Sequence, residues 1–123
     1  MTRAEFDAHC GSMKGTTHVV QWGGASVWKI GGRIFAICSK WGAGDDPKIS
    51  FKCSELTFAI LTEQPGIVPA PYLARAGWAQ IETTDAMGDE DIRHYIETAY
   101  SIILSRLTKR VRRELGLDLT QGT

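Results

Sequence analysis

The chain has 123 residues, a length that fits one domain and can bury a core without disulfide or metal support. Hydrophobic residues make up 43% and charged residues 23%, ordinary usage for a globular protein. The 14 basic and 14 acidic side chains balance, which excludes a global positive field, so electrostatic recognition of nucleic acid would have to use a local patch.

Thr2 and Glu5 form a capping-box pattern that predicts a helix over 2–13, with Phe6, His9, Cys10 and Met13 on one face. Residues 15–17 break it. A short strand is expected over 18–22, closed by Gly23-Gly24. The β-rich runs 25–30 and 33–40 flank Gly31-Gly32, the signature of a two-residue hairpin whose turn needs positive φ. After a polar loop over 42–47, a strand over 48–53 alternates Ile49, Phe51 and Cys53 with Lys48, Ser50 and Lys52.

Ser54 is a suitable N-cap for a helix over 55–63, with Leu56, Ala59, Ile60 and Glu63 on one side and Pro65-Gly66 as the stop. Pro69 and Pro71 impose an extended connection. One further strand is expected over 77–82, and 83–88 is a turn. Asp89, Glu90 and Asp91 then suit the positive end of a long helix. Its apolar period, through Ile92, Tyr95, Ile96, Ala99, Tyr100, Ile103, Leu104 and Leu107, carries the expected helix to Leu115 and Gly116. A short frayed tail after Leu117 is expected.

Strands joined by short turns imply an antiparallel sheet, and the long last helix is the obvious cover for one face. The expected class is α+β, a two-layer sandwich with helices on one face. Cys10, Cys38 and Cys53 are odd in number and widely spaced, which reads as reduced, buried thiols. Arg3, Glu5 and Asp7 interrupt any leader-like start, and no apolar run nears the roughly 20 residues of a membrane helix, so a cytoplasmic location is expected; the sequence does not give the oligomeric state, and a monomer is favoured.

Four segments carry a resemblance. The run Trp28-Lys29-Ile30-Gly31-Gly32-Arg33-Ile34-Phe35-Ala36, the strand Lys48-Ile49-Ser50-Phe51-Lys52-Cys53, the segment Pro65-Gly66-Ile67-Val68-Pro69 followed by Tyr72-Leu73 and Gly77-Trp78, and Ala99-Tyr100 in a basic-ended helix resemble, in order and spacing, the MmcQ/YjbR family. The match spans roughly 6–115, so the chain reads as a single MmcQ/YjbR-like domain. Gly77 stands where the family often has histidine, and Arg75 where it often has lysine. The resemblance implies a CyaY-like fold and a proposed DNA-binding role.

Lys and Arg meeting phosphates supply most affinity for DNA. The candidates are Lys29, Arg33, Lys40, Lys48 and Lys52 around the hairpin and Arg75 beside it, with Trp28 and Trp41 as stacking residues. A second basic group, Arg106, Lys109, Arg110, Arg112 and Arg113, ends the last helix, where the dipole alone favours positive charge. Lys48 and Lys52 alternate with core residues, as on any solvated strand face.

Catalytic readings are weaker. His9, His18 and His94 lack metal-like spacing with the cysteines, no phosphate loop is present, and the acidic clusters Asp45-Asp46 and Asp89-Glu90-Asp91 fit turn and dipole roles. No catalytic residue, metal or cofactor is expected. The alternative to DNA binding is a small-molecule or protein-binding module with a sheet face lined by Trp22, Trp28 and Trp41.

Overall fold

The capping box closes as its spacing predicts: in the computed structural model the Thr2 hydroxyl accepts from the Glu5 N–H at 3.1 Å, and the Glu5 carboxylate accepts from the Thr2 N–H at 2.8 Å. The structure describes residues 1–42, 44 and 46–117. The expected tail after Leu117, and Asp45 of the acidic pair, lie outside the described residues.

The order of elements is α1 (Arg3–Ser12), β1 (Thr16–Gln21), β2 (Ala25–Ile30), β3 (Arg33–Ser39), β4 (Lys48–Lys52), α2 (Glu55–Leu61), β5 (Ile67–Pro69), a 3-10 turn (Ala74–Ala76), β6 (Trp78–Ile81), α3 (Asp89–Arg106) and α4 (Lys109–Glu114). The strands form one antiparallel sheet in the order β1-β2-β3-β4-β6-β5. The hairpin falls where predicted. Ile30 pairs with Arg33, and Gly31 and Gly32 take φ of 60° and 80°. A Cβ at Gly31 would sit 2.6 Å from a Leu107 methyl, so glycine here serves both the turn and the docking of the last helix onto it.

One face of the sheet carries the main core. Phe35, Phe51, Ile49, Ile81 and Ile30 meet Phe6 and Cys10 of α1 and Ile92, Ile96, Ala99 and Ile103 of α3. This bears out the expected face of the long helix, and Tyr100 sets its ring edge-on to Phe35. Between β2 and β3 the register shifts by one residue, and both Phe35 and Ala36 lie in this core.

The opposite face has its own smaller cluster: Ala25, Val27, Ile37, Ala70 and Trp78, flanked by Val19, Ile34, Trp41 and Leu73. Its cover is irregular chain, the segment around Ala70–Leu73 and the loop after β3, rather than a helix. Trp78 is core, as its alternation predicts.

Several expectations need correction. The last helix does not run to Leu115. It ends at Arg106, Leu107 turns extended, and Thr108 starts α4 by accepting from the Val111 N–H. Leu56 and Ile60 of α2 are exposed, and the helix packs through Phe58 and Leu61 instead. Two turns are too short for a period to define a face. The extended connection at Pro69 is a sixth strand, placed at the sheet edge where proline's missing N–H costs nothing. The first strand is Thr16–Gln21, and Trp22 lies beyond it in the turn.

A candidate aromatic binding cleft

The predicted hairpin patch does not assemble. Lys29 and Arg33 lie at the Gly31-Gly32 end of the sheet, with Lys52 of β4 at the same end. Lys40 follows the far end of β3, seven residues from Arg33, or about 23 Å at strand rise.

Lys48 points off the second face, as alternation requires, yet it is 1% exposed. Its ammonium donates to the carbonyls of Asp46 at 3.0 Å and Gly44 at 3.3 Å, and so ties these two residues down over the sheet. Gln80 helps from β6 by donating to the Trp41 carbonyl at 3.0 Å. Lys48 is therefore a structural cation, which corrects the expectation of an outward, phosphate-facing side chain. Lys52 is half-buried and donates to the Ala76 carbonyl. Arg75 is exposed on the 3-10 turn.

Trp28 is also misplaced by the sequence reading. It is on the helix-covered face, 9% exposed, stacked on His18 and donating its indole N–H to Asp7 at 2.9 Å. Neither its ring faces nor its N–H are open to a base.

Trp22, Trp41 and Tyr72 do come together. Trp22 lies 5.7 Å from Trp41, and Tyr72 meets Trp41 edge-on at 5.5 Å, centroid to centroid. With Leu73 they line an apolar cleft of about 400 Å³. A second hollow of about 330 Å³ adjoins it, sharing Trp22 and Trp41 and adding Arg3 and Lys40. Trp22 is 51% and Tyr72 88% exposed.

The backbone holds these two rings at a cost. Trp22 and Tyr72, at φ of 53° and 69°, are the non-glycine residues with positive φ among those described. Bulky residues rarely adopt this region, and such strain gathers at functional sites. Two strained residues flank Trp41, and both present an exposed aromatic ring. Tyr72 was not singled out for function by the sequence reading. Its signals are its place between Pro71 and Leu73 in a proline-rich connection and the Tyr72-Leu73 pair within the family-like segment.

A part-exposed triad-like set was likewise missed. His18 Nε2 lies 2.7 Å from Ser26 Oγ, which donates to Asp7 Oδ1 at 2.5 Å. The polarity is wrong for nucleophilic catalysis, because the serine proton goes to the carboxylate rather than to the imidazole. Ser26 is also fully buried. The set seats Trp28 on α1.

The cysteines are free and buried, as expected. Burial pushes the Cys38 and Cys53 thiols up to about 11, away from reactive thiolate. Among the described residues, no three His, Cys, Asp or Glu gather as a metal set, and no helix is long and apolar enough to cross a membrane.

An open six-stranded antiparallel sheet, packed by helices on one face and by loops around an aromatic cleft on the other, defines an α+β domain. The chain belongs to the YjbR family, whose sequence model matches residues 11–102. The fold is shared with the crystal structure of Deinococcus radiodurans protein DR2400, a DUF419 domain. The TM-score is 0.79 at 19% identity, covering 99% of this chain and 94% of that one. A Pseudomonas syringae protein aligns with a TM-score of 0.69 at 19% identity, over 83% of this chain and 98% of its own. No curated protein matches the chain.

Proposed function

We propose that the protein is a non-catalytic nucleic-acid-binding domain that takes unpaired bases in the Trp22–Trp41–Tyr72 cleft. The observation that carries this reading is the pair of strained, exposed aromatics either side of Trp41. Every base has a π-face, and base–aromatic stacking contributes about 1–3 kcal/mol per base. Lys40 and Arg3, in the adjoining hollow, supply cations for the neighbouring phosphates. A balanced net charge agrees with modest affinity and with dependence on stacking rather than on a broad positive surface.

The test is a titration of a labelled single strand and a labelled duplex at several salt concentrations. The single strand is expected to bind more tightly, and Trp41→Ala to weaken it by about tenfold or more, the equivalent of one lost stack. Failure of the single strand to bind at low salt, where phosphate attraction is strongest, would overturn the reading. The apolar lining of the cleft, Leu73 included, would then favour a planar small molecule as its occupant. Binding of that kind hardly responds to salt.

A further inference from the structure

A third concavity lies at the other end of the segment that carries Tyr72. It measures about 570 Å³, and Lys52 of β4, Arg75 of the 3-10 turn and Arg106 at the end of α3 all line it. Three cations from three separate elements thus converge, with Glu55 as the single carboxylate in the lining. None of the three forms an ion pair with a carboxylate among the described residues. Charges held together in excess of their counter-charge repel, and specific contacts hold Lys52 in place.

Those contacts centre on Gly77. Its φ of 79° closes the 3-10 turn, its carbonyl accepts from the Cys53 N–H at 3.0 Å, and a Cβ there would lie 3.2 Å from the Lys52 ammonium. The neighbouring Ala76 carbonyl accepts from that ammonium and aims it along the wall. Burial lowers the Lys52 pKa from its ordinary value, and the nearby Arg106 lowers it further. An anion entering the cavity would oppose both effects by favouring the charged ammonium.

We propose that this cavity binds a phosphate group. Two guanidiniums offer planar forks that suit phosphate oxygens, and the ammonium adds a compact point charge. Three cations against one carboxylate suit a phosphate monoester, which carries about −1.5 to −2 at neutral pH. The volume exceeds a bare phosphate and leaves room for the group that bears it. The inference does not depend on the aromatic cleft, and the two sites fail or succeed separately.

The test uses the full chain and thermal melts at fixed ionic strength. Inorganic phosphate is expected to raise the melting midpoint more than chloride does. Arg75→Gln with Arg106→Gln should remove the difference, whereas Trp41→Ala should keep it. Each single Arg→Gln should weaken phosphate binding by about tenfold, as loss of a charge-assisted contact does. Amide signals of Ala76 and Gly77 should move on phosphate addition, a readout independent of stability.

A 5′-phosphorylated dinucleotide is then compared with its unphosphorylated form and with free phosphate. Tighter binding of the phosphorylated dinucleotide than of either places the phosphate on a nucleotide; binding equal to that of free phosphate makes the free anion the ligand. Equal midpoints in phosphate and chloride would overturn the proposal, as would a full phosphate response in the double variant.

Discussion

The two faces of the sheet solve the same problem by different means. The helix-covered face buries Phe35, Phe51 and Ile81 under α1 and α3, whose apolar residues repeat at the helical period. The loop-covered face buries Val27, Ile37 and Trp78 under irregular chain, held by Lys48 and Gln80 donating to backbone carbonyls. Regular cover yields a continuous apolar core. Irregular cover leaves backbone groups to be satisfied one at a time, and it leaves gaps: the aromatic cleft lies within it, and the basic cavity lies where it borders α2 and the end of α3. The larger core thus lies on one face and the aromatic cleft on the other.

The largest expected effect lies on the helix-covered face. Ile96 of α3 is fully buried against the sheet, so Ile96→Ala should cost about 2–5 kcal/mol in urea unfolding, with Ile103→Ala in the same range. A loss below about half a kcal/mol at either position, the size of an ordinary surface change, would mean that α3 does not anchor the core.

A smaller effect is expected at the loop anchor. Lys48→Ala leaves the Gly44 and Asp46 carbonyls without their partner and should cost about 1–3 kcal/mol. Lys29→Ala, half-exposed near the hairpin, should stay within about half a kcal/mol. Equal costs for the two lysines would show that Lys48 is solvated and that the second face is open where the structure closes it.

Legibility in the sequence followed the same division. The long helix, its inward face and the Gly-Gly hairpin could be read because periodicity and positive-φ turn chemistry are local properties. Lys48 could not. Alternation assigns a side chain to a face but is silent on what covers that face, and a buried lysine alternates as a solvated one does. Trp28 failed for a related reason: its Asp7 partner is 21 residues away, and nothing near it in the chain announces the contact. Thr108 did leave a signal, an N-cap residue inside a helical period, but the apolar repeat continues past it to Val111 and Leu115 and masks the break. Of the candidate site, Trp22 and Trp41 were visible as surplus tryptophans. Tyr72 joins them only through the fold of the proline-rich segment, and Lys52, Arg75 and Arg106 meet across more than 50 residues of sequence.

The sharpest test of the division concerns strain at Tyr72. Its ring is 88% exposed and its φ is 69°, so the residue contributes little burial while occupying a backbone region unfavourable to side chains. Tyr72→Ala and Tyr72→Gly both remove the ring and its edge-on contact with Trp41. They differ in the backbone: glycine enters this region freely, and alanine does not. The glycine variant should therefore be more stable than the alanine variant by about 1 kcal/mol, the left-handed cost less the extra entropy of an unfolded glycine. Both should lose cleft binding to the same extent, because the lost group is the ring. That pairing separates the roles. If the alanine variant is as stable as the glycine variant, Tyr72 is not strained and the argument from positive φ fails. If stability splits as expected and either variant still binds a single strand as the wild type does, the strain is real but serves something other than base recognition.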